Sequence, residues 1–154
     1  MNRPLGNEDV VELRIPSRRG YEKVVMAAAA VLAKDMGLPV HRIEDLCTAL
    51  SEAILNAMEH GNQMNSHLEV IITLTQTPGK LSVSIRDQGK GFIPPLHPSK
   101  PSIEEKVSGI DSSRGWGWFL IKQLVDQVEV SPTPGGGTNV HLIVLMEGTV
   151  QQDG

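Results

Sequence analysis

The sequence is poor in several features that define large classes of protein. It has one cysteine, Cys47. No internal disulfide and no cysteine-based metal cage can form, and a reducing compartment, the cytoplasm, is the simple inference. Aromatic residues make up only 3%, which leaves the core to Leu, Ile, Val, Ala and Met. No apolar run reaches the roughly 18 residues of a membrane-spanning helix, and the polar start MNRPLGNEDVVE lacks the apolar stretch of a signal peptide. A net charge of −4 argues against the basic footprint of a nucleic-acid binder. His41, His60, His67, His97 and His141 show no metal-ligand spacing, so a zinc site is not expected. The patterns GxxxxGK(S/T), an opening strand–GxGxxG–helix unit and GxSxG are all missing. That argues against a P-loop NTPase, a Rossmann dinucleotide site and a nucleophile-elbow hydrolase.

What remains is the composition of an ordinary globular chain, 40% hydrophobic and 21% charged over 154 residues. That suits a single domain spanning 1–154. Val10 to Ile15 alternates as a short strand, with Val11, Leu13 and Ile15 on one face. Ser17 is placed to cap a helix running to about Met36, with Gly37 just past its end. Pro39 suits the start of a second helix ending near His60-Gly61. In that helix Ile43, Leu46, Cys47, Leu50, Ile54 and Ala57 form one apolar stripe. Cys47 lies on the stripe and reads as a small core residue.

Leu68, Val70, Ile72 and Leu74 alternate over a strand, Thr77-Pro78-Gly79-Lys80 is turn chemistry, and Leu81, Val83 and Ile85 alternate again. The two strands make an antiparallel hairpin. Residues 93–114 hold Pro94, Pro95, Pro98 and Pro101 and no periodic apolar face, the character of a lid over a site. Helical spacing returns from Gly117 to Val128. A strand begins at Val128, a Pro/Gly turn follows, and a last strand runs from Val140 to Leu145. Residues 147–154 are a polar tail. Helices and strands do not alternate strictly, so the expected class is α+β. The architecture is a two-layer α/β sandwich with helices on one face of a mixed, mainly antiparallel sheet.

Four separated features could carry chemistry. Glu52, Asn56 and His60 recur every four residues and share one side of the second helix, beside the buried stripe. Glu52 there could act as a general base, and Asn56 offers a neutral oxygen to a hard cation such as Mg2+; the plain alternative is a solvated helix face. Asp87-Gln88-Gly89-Lys90-Gly91-Phe92 follows a strand. An aspartate at a strand end can accept from an amino group such as that of adenine, and Gly89 and Gly91 let backbone approach a flat ring; alone, the segment is also an acidic turn. Arg114-Gly115-Trp116-Gly117 precedes a helix, where exposed N–H groups suit phosphates and Arg114 could add charge; the alternative is a glycine-rich junction. Gly135-Gly136-Gly137 is explained by a hairpin turn, with Thr138 beside it able to face a site.

In this order and together, these segments resemble the Bergerat ATP-binding fold. That fold is shared by DNA gyrase, a class of heat-shock chaperones, sensor histidine kinases and MutL. SEAILNAMEHGN resembles its N-box, DQGKGF its first glycine box, RGWGWFLIKQLVDQVEV its second, and GGGTNVHLIV its last hairpin. The wording of the boxes is most similar to the anti-sigma-factor serine kinases of bacterial partner-switching systems. The resemblance implies Mg2+ and ATP as cofactors, Glu52 as general base and Asn56 as Mg2+ ligand. Asp87 would read adenine, Gly89 and Gly91 would shape its pocket, and Gly115 and Gly117 would border the phosphates beneath the lid. His60, Phe92, Arg114, Trp116 and Thr138 complete the implied nucleotide-facing set. Trp116 and Trp118 bracket the second glycine box, where one ring has room under the lid. The implied function is transfer of a phosphate to a serine of a small antagonist protein, with a sigma factor as a second protein partner. No nucleic acid or membrane is implied, and the first strand is an edge able to pair in a homodimer. Two other readings follow from the same resemblance. One is a nucleotide-gated binding module without phosphotransfer. The other is the isolated ATPase domain of a sensor histidine kinase, which the short stretch before Glu52 disfavours.

Overall fold

The computed structural model of the chain describes residues 8–89 and 113–146, and of residues 113–116 the backbone alone. Gly91, Phe92, the lid up to residue 112 and the tail 147–154 lie outside the described residues, as do the side chains of Arg114 and Trp116. Five strands and three α-helices follow in the order β1 (Asp9–Pro16), α1 (Glu22–Met36), α2 (Val40–Asn56), β2 (Glu69–Thr77), β3 (Lys80–Arg86), α3 (Ser113–Leu124), β4 (Gln127–Pro132) and β5 (Thr138–Leu145). The sheet order is β1-β2-β3-β5-β4. Every pairing is antiparallel among the described residues, where the sequence expectation is a mixed, mainly antiparallel sheet.

Alternation sets the sheet's two faces. Val70, Ile72 and Leu74 of β2 are fully buried, as are Leu81, Val83 and Ile85 of β3 and Leu142 of β5. The register pairs Ile72 with Ile85 and Leu74 with Val83, so like residues stack on one face. The helices cover that face. α2 contributes Leu46, Ala49, Leu50, Ala53 and Ile54, and each large aliphatic side chain buried there stabilises the fold by roughly 1.5–3 kcal/mol. α1 lays Val25, Ala29 and Ala33 against it, an alanine stripe that permits close packing. Trp118 of α3 is 1% exposed and is the largest fully buried side chain among the described residues; its ring belongs to the core. Cys47 is half-buried, its thiol directed at the Met26 carbonyl (3.6 Å), and burial raises its pKa.

Three helix boundaries and the type of one helical turn differ from the sequence expectation. Ser17 is not a helix cap: its hydroxyl donates to the Leu68 carbonyl (2.8 Å), and α1 starts at Glu22, whose carboxylate accepts from the Gly20 N–H (2.6 Å). α2 ends at Asn56 and continues as a π-type turn, Ala57–Gly61, in which the Asn62 N–H reaches back five residues to Ala57 (2.8 Å). α3 begins at Ser113 and stops at Leu124, because Asp126 is drawn into the sheet, its N–H donating to the Ile143 carbonyl (3.0 Å). Gly115 and Gly117 therefore lie inside the first turns of α3 and not ahead of it. Residues 113 and 114 belong to this helix and not to the lid.

Candidate functional site

Glu52 and Asn56 stand one turn apart on α2, on the side that meets α3. A β-carbon placed on Gly117 would lie 3.0 Å from Glu52 Oε2 and 3.7 Å from Asn56 Nδ2. A side chain there would meet Asn56 at ordinary contact distance and crowd only the end of the Glu52 carboxylate. Asn56 is 7% exposed, and its Nδ2 has no hydrogen-bond partner among the described residues. A buried carboxamide without a partner costs about 1–3 kcal/mol, so this one is available to a ligand. Rotating its amide by a half-turn presents Oδ1 instead. That donor suits Mg2+, which takes one or two protein oxygens together with phosphate oxygens and waters. No cluster of three or more His, Cys, Asp or Glu suited to a metal occurs among the described residues.

The second part of the site is a glycine cradle around Asp87. Asp87 is 2% exposed. A β-carbon on Gly61 would fall 2.4 Å from its Cγ, one on Gly137 2.3 Å from its carbonyl oxygen, and one on Gly89 1.7 Å from the Gly61 carbonyl oxygen. Three backbone segments thus close on Asp87 and on one another. Burial pushes the Asp87 pKa above its usual value, and hydrogen bonds from the backbone of Gly89, Thr138 and Asp87 itself pull it partly back. The Gly89 N–H donates to Oδ1 (3.0 Å), and the Asp87 N–H donates to the Thr138 carbonyl (3.1 Å). Thr138 is buried beside it at the start of β5.

α2 and its π-type turn join the two parts. Glu52 and Gly61 are nine residues apart, roughly 13 Å of helix. A π-type segment at such a junction is a frequent feature of functional sites. Half-buried His60 lies on this turn. Its neighbour Glu59 pairs with Arg19 of the β1–α1 connection.

The structure brings together Glu52 with Asn56 and Gly117, and Asp87 with Gly89 and Thr138. It also recruits residues that sequence reasoning passed over. In the sequence Gly61 reads as a helix end and Gly137 as a hairpin turn, yet both pack against Asp87. Asn62, 2% exposed, accepts from the Gln88 N–H (2.8 Å). The signal that could have found Gly61 and Asn62 is their position directly after His60, at the end of the helical stretch that carries Glu52 and Asn56.

Comparison with known proteins adds relatives by sequence and by fold. The family model for the histidine kinase-like ATPase domain matches residues 15–144. A serine-protein kinase RsbW from Oceanobacillus iheyensis is 31% identical over 135 residues, covering 82% of both chains. One from Staphylococcus aureus is 32% identical over 131 residues, covering 83% of this chain and 82% of its own. Among solved structures, that of the RsbU and RsbW domains of Rv1364c from Mycobacterium tuberculosis superposes with a TM-score of 0.62 at 19% identity. It covers 89% of this chain and 32% of that longer one, a likeness of fold.

Proposed function

Because the chain belongs to the histidine kinase-like ATPase domain family, we propose that it is a Mg-ATP-dependent protein serine kinase. In this reading it is an anti-sigma factor or similar partner-switching regulator that phosphorylates a serine on a small antagonist protein. The relatives named serine-protein kinase support the reaction class. The observation that carries the reading is the placement of Gly117 beside Glu52 and Asn56, at the opposite end of one helical stretch from the Asp87 cradle.

In this reading the Asp87 carboxylate accepts from the adenine amino group. The free N–H groups of the first turn of α3 face the phosphates. Asn56 Oδ1 would hold Mg2+, which supplies charge neutralisation at the phosphates. Glu52 takes the proton of the attacking serine hydroxyl. The serine oxygen–phosphorus bond forms as the bond from the γ-phosphorus to the bridging oxygen breaks, and ADP leaves with that electron pair. Catalysis by positioning and a base is worth about 10²–10⁴-fold for the base alone. Gly91, Phe92, Gly115, Arg114, Trp116, His60 and Thr138 are proposed to border the nucleotide. A sigma factor and the antagonist are the proposed partners, the cytoplasm the proposed compartment, and the open edge of β1 the proposed seam of a homodimer. No helix among the described residues is long and apolar enough to cross a membrane.

The test uses the tagged protein as bait in a lysate of its own cells, followed by γ-labelled Mg-ATP on the captured material. Label on a serine of a small co-captured protein, lost with Glu52→Ala while ATP binding stays intact, is the expected result. A partner captured in an ATP-dependent way but never labelled would replace the kinase by a nucleotide-gated binding module.

A further inference from the structure

We propose that Asn62 is a positioning residue for base recognition: its buried carboxamide sets the peptide between Asp87 and Gln88, and Ser17 in turn sets Asn62. The inference rests on the reading of Asp87 as the group that accepts from adenine.

The geometry leaves the carboxamide one orientation. Its Nδ2 donates to Ser17 Oγ (2.8 Å) and to the Glu69 carbonyl (3.0 Å), and its Oδ1 accepts from the Gln88 N–H (2.8 Å). Ser17 is fully buried and spends its one proton on the Leu68 carbonyl (2.8 Å), so its oxygen is free only to accept. A flipped Asn62 amide would set an NH2 against the Gln88 N–H and is excluded. Four segments of chain thus meet on one side chain: the β1–α1 connection, the π-type turn, β2 and the loop after β3.

The strands need no such tie, because their ladders satisfy their own backbone groups. The Asp87–Gly89 loop does need it. Asp87 is anchored at its N–H by Thr138, and its carboxylate direction then depends on the next peptide, which Asn62 holds. Gln88 adds one further tie, its Oε1 accepting from the Glu69 N–H (2.6 Å). Beside the loop lies an open depression of about 520 Å³ whose rim includes Asn62, Gln63, Asn65 and Gln88. A released peptide therefore has room to turn. Asn62 acts through Asp87 and has no assigned contact with the nucleotide.

ATP and GTP separate this role from simple fold support. ATP presents an amino group where GTP presents a carbonyl oxygen, so a correctly aimed Asp87 carboxylate favours ATP. Affinities for Mg-ATP, Mg-GTP and inorganic tripolyphosphate are measured by calorimetry for the full chain and for Asn62→Ala, Ser17→Ala and Asp87→Asn, with melting temperatures alongside. Asn62→Ala is expected to cut the ATP-over-GTP preference about tenfold, the scale of one buried hydrogen-bond partner lost. Ser17→Ala is expected to cut it less, and tripolyphosphate affinity should hold in both. If Asp87→Asn abolishes the preference while Asn62→Ala and Ser17→Ala keep it, Asn62 is only a structural residue and the inference is overturned. An Asp87→Asn variant that keeps the preference overturns the adenine reading itself. Should Asn62→Ala not fold, Ser17→Ala decides, and an unchanged preference there overturns the inference.

Discussion

Replacing Gly61 by alanine sets two local rules against each other. Gly61 ends a helical stretch, and its φ is not positive, so backbone strain plays no part. Helix propensity alone predicts a gain of up to ~1 kcal/mol. The packing predicts the opposite. The new methyl would lie 2.4 Å from Asp87 Cγ, 2.5 Å from Oδ2 and 2.8 Å from Cβ, where ordinary contact begins at 3.4 Å. Asp87 would have to retreat by about 1 Å, against the backbone of Gly137 and at the expense of the Gly89 hydrogen bond. Overpacking of this kind costs typically ~1–3 kcal/mol, and a buried group stripped of its partner about as much again. The net expectation is a loss of roughly 2–4 kcal/mol, or a melting point lower by about 5–15 °C for a chain of this size. Urea denaturation of the nucleotide-free protein measures it. In an Asp87→Ala background the Cγ and Oδ2 contacts vanish, so the cost of Gly61→Ala should fall by at least ~1 kcal/mol in the cycle. A Gly61→Ala protein as stable as the parent would refute the cradle.

Other perturbations test the remaining parts. Asp87 has a pKa above its ordinary 3.8 because it is buried. Its stabilising contribution is full below that value and is lost as pH rises through the folded-state value. The stability of Asp87→Asn relative to wild type should therefore grow with pH over that window and then level off, while Mg-ATP no longer raises the melting point; urea curves from pH 3.5 to 7.5 would show it, and a constant difference would contradict the burial argument. Gly117→Ala should leave the melting point unchanged or raise it by helix propensity, yet lower the phosphotransfer kcat. Its methyl would crowd Glu52 Oε2 at 3.0 Å, so an unchanged kcat would show that the carboxylate yields freely. Trp118→Ala should destabilise by about 3–5 kcal/mol, since the ring is 1% exposed within the core; a loss below about 1 kcal/mol in urea would return the ring to the surface.

The layer architecture was legible because its causes are local. Val70, Ile72 and Leu74 alternate whatever surrounds them, as do Leu81, Val83 and Ile85, and the turn between them announces itself in Pro78-Gly79. The stripe Leu46, Leu50 and Ile54 likewise follows from helical spacing. Glu52 and Asn56 were legible for the same reason, since a four-residue interval is a statement about one helix face. Asp87 was legible from its place at a strand end with glycines behind it.

The residues that close the site were not legible in this way. Ser17 carries the local code of a helix cap, but a carbonyl 51 residues away holds its hydroxyl, and the helix starts later as a result. Gly61 and Gly137 each have a sufficient local excuse, a helix end and a hairpin turn. Only the packing of both against Asp87 shows why neither tolerates a side chain. Asn62 and Gln88 are 26 residues apart, and a hydrogen bond across that distance leaves no periodicity to read. Sequence by itself determined the elements, their buried faces and the types of group available for chemistry, because propensity and period act within a few residues. Tertiary structure alone decided which groups meet, because contact between distant segments depends on how the helices settle on the sheet.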